Sequence, residues 1–428
     1  MAFGAPPTRI DELAELGYEG AVEALCDLRR PDVAADAVPA PTFDTARYLA
    51  TRDADEATRR EADRVAAEER RALPLWWIRR MVAADNPVRE KLTFLWHDHF
   101  ATSIEKVKVA ELMHLQRATL YELGIGRFDT LVGAVARDPA MLVWLDGRDS
   151  RAGAPNENFA RELFELFTLG LGGGAHGEHG GSQPFTEDDV AEAARALTGW
   201  AIDPVARAGR LVPRRHDGGT KTVLGVTGAL GLDEVVAAAT AHPACAPHVV
   251  ARLWSRLARP AGPDDAVVRE LAAPFARDLD VSTLLRRMLL HPAFRDDSTR
   301  GALVKTPVDY VVGLARSLGI TPDERVVPVL AGLGQLPFLP PDVSGLPGNG
   351  AWISTASALL RLQVAVVVAD LVLVDDVDRI GSRERPDALA RLLNVERWTD
   401  ATAAALRDAP DDRTALTVAV VAPEHLVA

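Results

Sequence analysis

The sequence predicts a mainly α protein, a large multi-helix single body that carries a short β-hairpin or ordered-loop insertion near residues 200–228. Two observations carry that prediction. Apolar residues recur at helical spacing along nearly the whole chain, in windows filled by Ala, Leu, Arg and Glu with few alternating β-branched runs. Residues that favour helix starts stand at the heads of those windows. The 428 residues, 48% hydrophobic and 25% charged, have the composition of a globular protein. That composition excludes collagen-like, disordered and disulfide-rich classes.

From the N-terminus, Ile10, Leu13 and Leu16 already form a helical pattern. The basic start and apolar stretch of a signal peptide are missing there. As it stands the chain is therefore expected in the cytoplasm, and it is expected to be exported only where a leader has been trimmed or mis-annotated. Asn86 before Pro87 starts the next clear helix, followed by Thr102 with Glu105, Asp138 before Pro139, Thr186 with Asp189, and Thr306 with Pro307 and Asp309. Roughly fifteen helices result. Within 200–228, Arg210 to Pro213 and Lys221 to Leu224 flank the turn sequence His216-Asp217-Gly218-Gly219 and suggest a short hairpin or an ordered loop. The glycine-rich stretch 170–183, the proline-rich stretch 332–350 and an acidic turn near Asp375 interrupt the pattern without reading as linkers. One helical domain over 1–428 is favoured, with a subdivision near 230 as the alternative. The apolar run 362–374, interrupted by Asp370, is about half the length of a membrane span and reads as a core helix.

The 61 acidic against 48 basic residues leave a net charge of −13, which repels phosphate backbones and anionic lipid. Neither nucleic acid nor a membrane is expected as partner. Cys26 and Cys245 are the two cysteines, read as free buried thiols.

Trp96-His97-Asp98-His99-Phe100 is the densest group of potential metal ligands. In an uninterrupted helix from Pro87 the two histidines lie about 200 degrees apart, beyond the reach of one ion. A capping box at Thr102 and Glu105 would end that helix near Asp98, freeing His99 to turn and making joint ligation feasible. The competing reading is a hydrogen-bonded core His99 and a surface His97. In Asn156-Glu157-Asn158-Phe159-Ala160-Arg161-Glu162, the residues Glu157, Asn158, Arg161 and Glu162 occupy one arc of an amphipathic helix, with Glu165 beyond. Ion pairs at i,i+4 on a solvated face explain that arc cheaply. Its rival is a buried polar face on which Glu157 or Glu162 ligates a metal or acts as general base. His216 and Asp217, close to Lys221, offer an acid, a ligand or an anion contact from a loop, and turn chemistry explains Asp217-Gly218 equally well. His176-Gly177-Glu178-His179 is read as a glycine-softened loop, and Asp278-Leu279-Asp280 as a cap. Phosphate loops, dinucleotide fingerprints, serine elbows and zincin helices are absent from the sequence.

Leu95-Trp96-His97-Asp98-His99-Phe100, Asp138-Pro139-Ala140-Met141-Leu142, Ala154-Pro155-Asn156-Glu157-Asn158-Phe159-Ala160-Arg161-Glu162-Leu163, Phe185-Thr186-Glu187-Asp188-Asp189-Val190, Ala196-Leu197-Thr198-Gly199-Trp200 and His216-Asp217-Gly218-Gly219-Thr220-Lys221 occur in that order. In wording and order they resemble the bacterial family catalogued as domain of unknown function 1800, from about residue 3 to the C-terminus. The resemblance implies a mostly helical bacterial protein, often with a secretion leader and often encoded beside a second uncharacterised secreted family. It implies no reaction. It places His97, His99, Asn156, Glu157, Asn158, Arg161, Glu162, Thr186, Trp200, His216, Asp217 and Lys221 at motif positions, which favours one shared polar site. The chain departs from the family at Leu346, where a Trp is common, and after Arg361, where an Asn is expected.

The leading expectation is an enzyme in which His97, His99, Glu157 and Glu162, joined by His216, gather around a divalent metal (iron, manganese or zinc). Arg161 and Lys221 would bind an anionic or polar small-molecule or peptide substrate, with Asn158 and Asp217 completing the site. The second is a helical scaffold that binds a partner protein, its motif residues serving as buried hydrogen-bonded struts. A third is metal-free acid–base catalysis by His216 or Glu162.

Overall fold

The structure is a computed structural model that describes residues 3–44, 55–171, 183–372 and 381–427. Among these residues are twenty-two α-helical segments, a π-helical turn at Leu163–Thr168 and two small two-stranded sheets, so the protein is mainly α with a small β insertion. The excess over fifteen helices comes from single turns such as Val33–Asp36, Ile104–Val107 and Pro423–Leu426, too short for apolar periodicity to register. The loop 176–179 and the turn near 375 lie outside the described residues.

Most expected caps are present. Asn86 accepts from the Val88 N–H, Asp138 from Met141 and Thr306 from Asp309, while Thr186 and Asp189 form a reciprocal capping box. Asp280 likewise caps through the Thr283 N–H. Thr102 is the exception, because its hydroxyl donates back to the Phe100 carbonyl and Ser103 caps the next turn.

The β insertion differs from the expected hairpin. Arg210 to Pro213 and Lys221 to Leu224 do not pair with each other. Trp200–Asp203 pairs with Ala208–Leu211, and Lys221–Val223 with Val226–Gly228, each antiparallel. Two local hairpins thus flank His216, since short loops close more readily than long ones.

Two apolar clusters form the interior. The first gathers Phe100, Phe128, Phe164, Phe167, Trp254 and Phe275, and the second Trp77, Phe94, Tyr310, Phe338 and Trp352. Pro87–His99 contributes Leu92 and Trp96 to the first and Phe94 to the second. Apart from Arg89, all of its residues are buried. Thr355–Val372 corrects the core-helix expectation. It runs for 18 residues, enough by length and composition alone to cross a membrane. It buries Ser357, Arg361, Ala365, Val368 and Ala369 and packs on Asp412–Val421, while Leu359, Leu362, Val366, Val367 and Leu371 stay exposed.

Candidate functional site

The motif residues sit where helices meet loops, and the position of Pro87–His99 between two cores decides the roles of its histidines. The helix continues through His99 without the turn expected at Asp98. His97 therefore faces the second cluster. Its ring lies 5.4 Å from those of Trp77 and Phe338, and its Nε2 accepts the Phe338 N–H at 2.9 Å. Burial pushes its pKa down to about 4, so the ring is neutral. His99 faces the first cluster among Trp96, Phe100, Phe128 and Phe167. Its Nε2–H donates to the Phe167 carbonyl at 3.0 Å. Burial, with Arg252 and His248 nearby, holds its pKa well below the usual value.

This corrects the expected joint ligation. One lone pair of His97 is already taken by a backbone N–H, and the bare Nδ1 of His99 is buried near a guanidinium that repels a cation. Among the described residues no three of His, Cys, Asp and Glu come close enough to hold a metal ion. His97 is also no surface residue, being 3% exposed.

Asp98, between them, was passed over in the sequence. It accepts the Leu346 N–H at 2.5 Å and the Arg256 guanidinium at 2.9 Å. Gly345 makes that approach possible: its φ is +91°, and a Cβ there would lie 2.4 Å from the Asp98 carbonyl oxygen. The two residues of the expected ligand pair and the aspartate between them thus anchor the stretch 332–350 at two points and the π-turn at a third.

Asn156 caps Glu157–Glu162 through the Asn158 N–H and donates its own amide to the Leu145 carbonyl at 3.0 Å. Asn158 and Glu157 are exposed. Arg161 forks onto Glu187 at 2.7 and 2.9 Å, with Glu157 at 3.8 Å and Glu165 at 3.5 Å. This is the ion-paired outer face, worth a few tenths of a kcal/mol per pair. Glu162 is half-buried, and burial raises its carboxyl, with Glu165 and Asp342 adding to the effect. The helix then widens into the π-turn, whose Leu166 and Phe167 carbonyls accept His248 Nε2 at 2.9 Å and His99 Nε2 at 3.0 Å.

The third block closes on itself. His216 Nδ1 bonds the Thr198 carbonyl at 3.0 Å, and the Asp217 N–H donates to the Thr198 hydroxyl at 2.8 Å. Arg195 reaches the Asp217 carboxylate at 2.8 Å and holds its pKa at about 2. Lys221, 1% exposed, donates to the carbonyls of Asp217 and Gly219 inside its own loop. Burial lowers its ammonium below the usual range. Both cations are engaged within this block.

Glu90 and His248 also escaped the sequence reading. Glu90, 1% exposed, accepts from Trp77 Nε1, Arg80 and Arg117 between helices. Its partners come from 10 to 27 residues away, a separation that leaves no periodic signal.

Fold and site together define a helical body whose polar motif residues brace backbone contacts between distant segments. A family model described as protein of unknown function (DUF1800) matches residues 1–427, and the chain belongs to that family. No curated protein and no solved structure matches it.

Proposed function

We propose that this protein is a helical scaffold that binds a partner protein through the outer face of Thr355–Val372. The uncovered apolar stripe of Leu359, Leu362, Val366, Val367 and Leu371, between 39% and 59% exposed, carries the reading. Its exposed surface is on the order of 400 Å², the scale at which a monomer's largest apolar patch tends to be functional. Two copies joined through the stripe alone would bury only about 800 Å² in all, the scale of crystal packing rather than of an obligate dimer. A partner helix presenting its own apolar face, ringed by polar contacts, fits that size as the core of a transient interface. Lipid fits less well. The opposite face is held in the fold by Arg361, Ala365 and Val368, and the net charge of −13 opposes anionic headgroups.

The motif blocks support the same reading, because their buried polar atoms stiffen the body that presents the stripe. A photo-crosslinker replacing Leu362 should give one discrete adduct with another protein in host cells. The identified partner, purified, should bind the parent chain and bind the Leu359→Glu/Val366→Glu variant at least about tenfold more weakly. The helical circular dichroism of that variant should match the parent. Adducts only between copies of the chain, or equal binding by the variant, would sink the proposal.

A further inference from the structure

A cavity of about 360 Å³ opens between the N-terminal segment, Pro87–His99, Pro307–Leu318 and the C-terminus, remote in role from the docking stripe and independent of that reading. Its walls are partly apolar, from Phe3, Leu257, Val304, Tyr310, Leu393 and Val427. Five cations also line it, and four have partners. Lys91 is paired with Asp309, and Arg9 with Glu12 at 2.7 Å. Arg256 holds Asp98, and Arg316 donates to the carbonyls of Gly4, Met81, Val82 and Ala84. Lys305 is the fifth. Among the described residues no hydrogen bond or ion pair reaches its ammonium, although its backbone is braced by the Leu426 carbonyl and by Arg361. Trp352 lines the cavity too, and among the described residues its buried indole N–H has no acceptor.

We propose that this cavity binds a small monocarboxylate with an apolar body, its carboxylate on the ammonium of Lys305. An ammonium without a counter-ion in a partly apolar cavity is costly to desolvate unless an anion joins it, and a carboxylate can accept from both an ammonium and an N–H donor. A phosphate dianion would call for a second free cation, and the other four are committed. A neutral apolar ligand would bury the charge without compensation.

The surroundings of Lys305 set the pH dependence. Asp309 and Tyr310 lie on Pro307–Leu318, Lys91 and Arg361 approach from two other helices, and His425 from the C-terminal turn. Burial lowers the Lys305 ammonium to about 8, with Asp309 opposing. The ligand needs the charged form, so affinity is constant below that pH and falls about tenfold per unit above it.

Isothermal titration of the full chain with octanoate, which is ionised throughout, tests this. Saturable binding near pH 6.5 should weaken about thirtyfold near pH 9.5. It should fall at least about tenfold in Lys305→Met and survive in Lys305→Arg, with octanamide binding as weakly as octanoate does to Lys305→Met. Absence of saturation at millimolar octanoate, pH-independent affinity, or equal binding of octanamide would overturn the proposal. The pH series and the octanamide comparison on the parent chain decide it even if Lys305→Met fails to fold.

Discussion

Acidification should unfold this protein, and His97 supplies a measurable part of the effect. In the unfolded chain its imidazole takes a proton near pH 6.5, whereas in the folded chain it does so only at about 4. Between those values the unfolded state binds more protons, so stability is fully present above about pH 6.5 and is lost as pH falls towards 4. The interval of about 2.5 pH units, at about 1.4 kcal/mol per unit, amounts to about 3 kcal/mol. Burial is the cause, and protonation would also add a charge between Trp77, Phe94 and Phe338. His97→Gln isolates this contribution, since an amide oxygen can still accept the Phe338 N–H without titrating. Urea unfolding followed by tryptophan fluorescence, at steps between about pH 7.5 and 4, gives the stability of parent and variant. The difference between them should shift by about 3 kcal/mol across that range, the parent losing more. His99 and His425 titrate alike in both proteins and cancel. A pH-independent difference would refute the assignment of His97 as a neutral buried strut.

Glu90→Gln should lower stability by about 3–5 kcal/mol, because it takes the carboxylate away from the buried Arg117 and leaves Arg80 only Asp36 as its ion-pair partner. With an unfolding entropy of roughly 0.9 kcal/mol per kelvin for a chain of 428 residues, calorimetry should show a Tm about 4 °C lower, and an unchanged Tm would contradict the hub. Asp138→Asn should do the opposite. Burial raises the Asp138 carboxyl to about 7, so the folded state binds more protons between about pH 4 and 7 and stability falls as pH rises through that window. The amide oxygen can keep both bonds, from Met141 and Gln116, and the variant should gain a few kcal/mol near pH 8 and nothing near pH 4. A variant no more stable at either pH would count against the buried charge. Elemental analysis of tag-free protein should give the same iron, manganese and zinc content for the parent and His97→Gln; loss of a stoichiometric metal in the variant would restore the ligand reading of that residue.

What the sequence could determine was local. Helical periodicity, the caps at Asn86, Asp138, Thr186 and Thr306, and the β insertion near 200–228 all depend on residues within a few positions of one another, where side chains compete directly for neighbouring backbone groups. The Arg161 ion-paired face was readable for the same reason, since its i,i+4 spacing is a property of the helix itself. The motif blocks marked polar residues but left their partners open. Tertiary packing alone decided that His97 meets Phe338, 241 residues away, and that Asp98 meets Leu346, 248 residues away. Those bonds exist because one helix lies between two apolar clusters, which turns its two histidines apart and deprives each of water. Packing likewise chose which face of an almost wholly apolar helix, Thr355–Val372, is buried and which is left open. The composition of that helix is apolar on both faces and carries no preference between them, so only the surface of Asp412–Val421 against which it settles could make the choice.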